Sequence, residues 1–299
     1  MIATEREIST MPPLPPQETR RMVQRIVDLP ALPIVVPQVL RLVEDQRASA
    51  GDLARVIGSD QALATRILRL ANSAFYGFRR EIVTINHAVV LLGFDTVKSI
   101  VLAATVFETL SEGGAASGFS REQFWLHVGA TASAARRVAK SLRVSDAEAA
   151  FVAGLLHDVG KVVLDRFFHD RYAEAARVAA GAPCLIREAE VALFSVTHAE
   201  VGRWLAERWR FPAAIVEPIA FHHQPAAASP DCRLLTAIVH VADILTRNAG
   251  IGSGGDGLVP LPDAAVLRRL KIGSAALLQW TGELTQEREA VETFLQVIH

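Results

Sequence analysis

At 299 residues, 51% of them hydrophobic and 21% charged, the chain can bury one large core or two modest ones and is too apolar to be disordered. A net charge of −1 gives no general attraction to nucleic-acid backbones or anionic membranes, and two widely spaced cysteines, Cys184 and Cys232, suit a reduced cytosolic setting. The opening MIATEREIST lacks the apolar stretch of a signal peptide, and the longest apolar windows are interrupted by Lys98, Glu108, His157 or Asp158 before they reach membrane-spanning length.

Residues 1–18 carry Met11-Pro-Pro-Leu-Pro-Pro16 and read as a mobile tail. A helix is predicted from Gln17, with Met22, Ile26 and Val27 on one face, and Leu29-Pro-Ala-Leu-Pro33 stops it. Pro37 suits the first turn of the next helix, striped by Val39, Leu40 and Val43. Asp52 and Asp60 stand where the N-caps of two short helices belong, with Gly58 between them and Leu63, Ile67 and Leu70 as the apolar stripe of the second. Asn72-Ser-Ala-Phe-Tyr-Gly77 is a run of turn formers that would wedge Phe75 and Tyr76 between two lobes; a partner-docking surface is the alternative. A helix over 85–92 ends at Gly93, and Asp95 caps a long apolar helix to Leu110. Glycine and serine then crowd residues 111–120 and mark a lobe boundary.

The second lobe starts with a helix over 121–142, holding His127 and the small-residue run 130–135. Asp146 opens one nearly unbroken apolar helix that carries His157-Asp158 and runs to Leu164. Helices over 170–180 and 185–194 follow. Thr197-His-Ala-Glu200 has capping-box spacing and starts a helix to Trp209; the next runs from Phe211-Pro212 to His222-His223, and a very apolar one over 233–247 contains Asp243. No segment alternates with period two. The pattern predicts an all-α, two-lobed, multi-helix fold: an N-terminal helical lobe at 19–115, a second lobe at 120–248, a mobile Gly/Pro-rich loop at 249–263, and one or two C-terminal helices within 264–299 that pack on the second lobe.

The chemistry-bearing candidates are His127, His157, Asp158, His198, His222, His223 and Asp243. Singly, His127 reads as an ordinary satisfied histidine and His222-His223 as a helix end. A carboxylate at 243 among Val, Ala and Ile needs a partner, which a metal or a buried hydrogen-bond network would supply. As a set they are all imidazole or carboxylate, which suits one or two divalent ions of iron, manganese, nickel or zinc. Two ions sharing the Asp158 carboxylate would activate water and clamp a phosphoryl oxygen, and Lys161 lies on the same helix side, where it could pair with a phosphate.

In order, His127, His157-Asp158 and Asp243 resemble the ligand pattern of the HD-domain metal phosphohydrolases, and His198 and His222-His223 match the extra histidines of that superfamily's multinuclear members. His157-Asp158-Val-Gly-Lys161 is similar to the local form of the HD motif. The first lobe resembles the HDOD (HD-related output domain) family through Leu29-Pro-Ala-Leu-Pro33, Ile57-Gly-Ser-Asp60-Gln-Ala-Leu63, Leu70-Ala-Asn-Ser-Ala-Phe-Tyr-Gly77 and Ile85…Leu92-Gly93; with His198-Ala-Glu-Val-Gly202 and Phe221-His-His223 the similarity covers about residues 22–245. The resemblance implies a bacterial signalling module that works through protein partners of cyclic-di-nucleotide or two-component networks. HDOD proteins typically lack some metal ligands, whereas every HD position is filled here. After His222-His223 the chain reads Gln-Pro-Ala-Ala-Ala-Ser-Pro, without the Gly-Tyr-Pro element of cyclic-di-GMP phosphodiesterases, so that hydrolysis is not supported. The expectation is a cytoplasmic regulator with a metal-loaded HD site and little or no turnover, binding neither nucleic acid nor membrane. The alternative is a metal-dependent phosphohydrolase in which Asp158 and Lys161 take catalytic roles. DNA binding by residues 52–71, with Arg66 and Arg69, is a third reading, opposed by the buried stripe that those helices need.

Overall fold

The computed structural model describes residues 11–15, 17–19, 21, 32–45, 47–73, 75–78, 81–111, 119–181 and 184–298. The predicted helix face at Met22, Ile26 and Val27, most of the Leu29–Pro33 stop and the 112–118 connection lie outside the described residues. Among the described residues every regular element is helical.

Residues 17–19 and 21 are helical, and beyond them the first group comprises α1 (Val35–Glu44), α2 (Ala50–Gly58), α3 (Gln61–Ala71), α4 (Ile85–Leu92) and α5 (Phe94–Ser111). Local chemistry sets their starts. Ser49 caps α2 by accepting from the Asp52 N–H, and the Asp52 carboxylate accepts back from Ser49, so Asp52 is the third residue of a capping box and not the cap itself. Asp60 does cap α3 and Thr84 caps α4. Gly93, at φ 87°, turns the chain directly from α4 into α5. The stripe Leu63, Ile67 and Leu70 is buried, and α3 packs on α5. At about 1.5–3 kcal/mol per buried large aliphatic, that stripe is committed to the core. Arg66 meanwhile pairs with Glu108 at 2.6 Å. The stripe is thus spent on packing, and Arg66 on an ion pair.

Asn72 pins the loop after α3 by exchanging two hydrogen bonds with the backbone of Ile82, at 2.7 and 2.8 Å. This aims Phe75 into the second group of helices: α6 (Arg121–Ser141), α7 (Ala147–Leu156), α8 (Val159–Phe167), α9 (His169–Gly181), α10 (Ile186–Phe194), α11 (His198–Arg208), α12 (Ala213–Phe221) and α13 (Arg233–Asn248). The Phe75 ring lies 4.7 Å from that of Phe294 and 5.8 Å from that of Phe151, with the Arg136 guanidinium 4.5 Å above it. The turn is a wedge between the two helix groups, as expected.

Three helices, α14 (Ala264–Leu270), α15 (Ser274–Gln286) and α16 (Arg288–Ile298), close the chain, where one or two were expected. Lys271 in the left-handed conformation (φ 55°) separates the first two. α16 packs on α6 and also on α3 and α5 of the first group, so it bridges both lobes. Among the described N-terminal residues, Leu14 donates to Leu193 O, Arg171 to Pro12 O at 2.6 Å, and Thr19 Oγ1 to Phe194 O at 2.8 Å. The end of the tail expected to be mobile is therefore strapped to the C-terminal end of α10.

Candidate metal centre

The predicted continuous helix breaks at His157-Asp158. α7 ends at Leu156, His157 follows as its C-cap, and Asp158, with φ −102° and ψ 9°, precedes α8. The break turns both side chains into the space between α6, α11, α12 and α13. A glycine makes that approach possible. A Cβ on Gly160 would collide with the His198 carbonyl and sit 2.7 Å from Gly202 N, so α8 can meet α11 only with hydrogen at that position.

All seven predicted residues converge. Asp158 faces two sets with its two oxygens. Oδ2 lies 3.3 Å from His157 Nε2 and 3.6 Å from His127 Nε2, while Oδ1 lies 3.1 Å from His198 Nε2 and 3.6 Å from His222 Nε2. Asp243 Oδ1 stands 3.1 Å from His127 Nε2 and 3.8 Å from His157 Nε2, and His198 Nε2 is 3.0 Å from His223 Nε2. Two groups that could hold a metal ion result, His127–His157–Asp158 and Asp158–His198–His222–His223, with Asp243 beside the first. His157, Asp158 and His198 are fully buried; only His223 is partly exposed.

The donor atoms suit a cation. His157 Nδ1 donates to Gly154 O at 2.7 Å and His222 Nδ1 to Ile219 O at 3.0 Å. A carbonyl has no proton to give, so in the neutral ring each Nε2 carries a bare lone pair. Those pairs point at carboxylate oxygens, which also only accept. His127 Nε2, His157 Nε2, Asp158 Oδ1 and His222 Nε2 are buried without a hydrogen-bond partner, despite separations as short as 3.1 Å, because the approaches lack hydrogen-bond direction. Orphaned buried acceptors facing one another repel; a divalent ion between them removes the cost.

Burial alone would raise the Asp158 pKa, but His157, Lys161 and His198 outweigh it and hold the carboxyl well below the usual range. Asp243 is likewise held low against burial by Arg247 and His127. Burial pushes His222 down to about 4 and, with repulsion from His222 and His198, depresses His223 strongly. Burial also lowers His127. His198 moves the other way: Glu190 and Asp158 raise it against burial.

Three supporting side chains escaped the sequence reading: Glu190, Arg247 and Asp256. Glu190 accepts from the His198 N–H and from Nδ1. Arg247 donates to Asp243 at 3.0 Å and to Asp256 at 2.8 Å, and its i+4 spacing from Asp243 was a readable signal. Lys161 does pair with Asp158, at 2.6 Å, but its other bond goes to Gly254 O at 2.7 Å. Ser253 N bonds Gln123 O on α6, and Asp256 accepts from Ile186 N. The 249–263 segment, expected to be mobile, is thus tied down over the Lys161 side of the centre between residues 252 and 258.

An all-helical bundle around a buried, shared His/Asp cluster is the class that fold and site define. The chain belongs to the HDOD family, whose model, HDOD domain, matches residues 29–225. An uncharacterized protein of Treponema pallidum (strain Nichols) is 26% identical over 227 residues, which are 75% of this chain and 43% of that one, so the chain spans less than half of that relative's length. Among solved structures, an HDOD domain protein of unknown function from Geobacter sulfurreducens aligns with TM-score 0.78 and 25% identity over 93% of this chain and 98% of that one. A candidate phosphohydrolase from Shewanella amazonensis SB2B (TM-score 0.71, 24% identity, 92% and 97% coverage) and a candidate signal transduction protein from Marinobacter aquaeolei VT8 (0.78, 21%, 98% and 64%) share the fold. Among the described residues no single helix is long and apolar enough to cross a membrane.

Proposed function

We propose that this chain is a cytoplasmic bacterial regulatory module that holds one or two divalent ions at the His/Asp centre and acts through signalling proteins of cyclic-di-nucleotide or two-component networks, with little or no turnover. His127, His157, Asp158 and Asp243 would hold one ion; His198, His222 and His223, sharing Asp158, the other. The observation that carries this reading is the set of buried acceptor atoms aimed at one another without partners. Bound ions would supply Lewis acidity toward a water or a phosphoryl oxygen. Low turnover is supported by the engagement of Lys161: it is fully buried, and its ammonium is bonded to Asp158 and Gly254 instead of facing open space. Nucleic acid and membrane are not among the proposed partners.

A second reading, a metal-dependent phosphohydrolase on a phosphoester or nucleotide, is favoured by the way Asp158 serves both groups with separate oxygens and by the cation beside it. There Asp158 would hold the metal pair and Lys161 would orient the phosphoryl group on leaving Gly254 O. Incubating the metal-loaded protein with a panel of nucleotides and phosphomonoesters and phosphodiesters separates the two. The regulatory reading expects no release of phosphate or nucleoside above that of Asp158→Ala; turnover abolished by that substitution would establish the second.

A further inference from the structure

The histidines of the centre are not supported alike. His157 and His222 turn Nδ1 toward backbone carbonyls, which fix the ring and carry no net charge. Among the described residues of the centre, His198 alone turns Nδ1 toward a carboxylate: Glu190 Oε2 lies 2.6 Å from it and 2.8 Å from the His198 backbone nitrogen. Glu190 is fully buried on α10, eight residues upstream, with Tyr172 Oη 3.4 Å from its other oxygen. The same oxygen therefore fixes the rotation of the imidazole and satisfies an orphan N–H in the first turn of α11. The ring can place Nε2 only where it is seen, 3.1 Å from Asp158 Oδ1 and 3.0 Å from His223 Nε2. A carboxylate behind an imidazole also makes Nε2 a stronger electron donor to a cation than a carbonyl does. Among the described residues the His127–His157 group has no such residue and relies on a second carboxylate, Asp243, neutralised by Arg247.

We propose that Glu190 is the positioning residue of the His198–His222–His223 half of the centre, and that this half, which reaches solvent through His223, depends on it for binding a cation while the His127–His157–Asp243 half does not. The inner half, with the two carboxylates Asp158 and Asp243, fills first; the outer half, with Asp158 alone and an opening at His223, holds its ion only while Glu190 fixes and strengthens His198. This inference rests on the metal-binding reading above.

The test titrates zinc or manganese into metal-free wild type, Glu190→Gln and Tyr172→Phe, following heat, bound metal after dialysis, and, for cobalt, the visible d–d absorption. Glu190→Gln keeps the size and one acceptor but loses the charge; its outer-half affinity should fall about 10–100-fold, with the inner step unchanged. Tyr172→Phe spares the Glu190–His198 bonds and should bind within about twofold of wild type. The melting point of each metal-free variant separates positioning from damage to the fold, because a merely structural Glu190 would lower it and weaken both steps together. If wild type binds a single ion, the inference survives only if Glu190→Gln loosens an ion that His223→Ala also loosens. Wild-type affinities and an unchanged cobalt spectrum in Glu190→Gln overturn the inference, as does equal weakening of both steps. Wild type that binds no metal overturns the underlying reading instead.

Discussion

Replacing Gly160 by alanine isolates the contact on which the centre depends. Two effects compete. In a helix alanine is favoured over glycine by about 1 kcal/mol. Against this, the added carbon meets the His198 carbonyl and lies 2.7 Å from Gly202 N, both backbone atoms that no rotamer change can move. To restore ordinary contact α8 and α11 must part by roughly 1.5 Å, and overpacking of this kind costs about 3 kcal/mol, the upper end of the usual range. The net loss should be about 2 kcal/mol, a fall in melting temperature of roughly 4–8 °C. The same displacement carries His198 away from Asp158 Oδ1, now 3.1 Å off, so bound metal should fall with stability. Gly58→Ala, where a Cβ meets nothing within 4 Å, is the control and should be neutral or stabilising. Thermal unfolding with metal analysis on the three proteins checks this. A Gly160→Ala protein that melts within about 1 °C of wild type and keeps its metal would refute the close approach of α8 to His198.

Arg247→Met removes the cation that serves Asp243 and Asp256, leaving two buried carboxylates without their guanidinium; a loss of about 3–5 kcal/mol in urea unfolding and faster proteolysis between residues 250 and 258 are expected. The metal-free protein should weaken as pH falls. His222 is depressed to about 4 in the folded chain against 6.5 unfolded, so below 6.5 the unfolded state takes up the proton first and stability drops until about pH 4. That single group contributes about 3 kcal/mol across the window. The lowered His127 and His223 act in the same direction and the raised His198 in the opposite one. Melting temperatures between pH 7 and 4 should fall for wild type and fall less for His222→Ala; a flat wild-type profile would contradict the assignment.

Much of the architecture was legible because helix signals are local. Asp60 and Thr197 cap where their side chains can reach the third N–H onward, and Leu63, Ile67 and Leu70 repeat with the period of a buried face. The seven candidate residues could be picked out because imidazole and carboxylate are costly on apolar helices. What could not be read depends on packing between distant segments. The break at His157-Asp158 has no proline or glycine to announce it, and Gly160 two residues later is needed for a helix that arrives about forty residues downstream. Glu190 shares a helical face with Ile186 and Leu193, a readable oddity, but nothing local links it to His198. Glycines in the 249–263 segment suggested looseness; the bonds from Ser253 to Gln123 and from Lys161 to Gly254 join partners 130 and 93 residues apart in sequence, which no window along the chain can see.

The most direct measurement is the metal content of the purified chain after equilibration with iron, manganese, nickel or zinc and removal of loose ions, alongside Asp158→Ala. The account predicts one or two divalent ions per wild-type chain and their loss from the variant, because Asp158 alone faces both groups. A wild-type chain that stays metal-free with all four, or an Asp158→Ala chain that keeps its full complement, would contradict it.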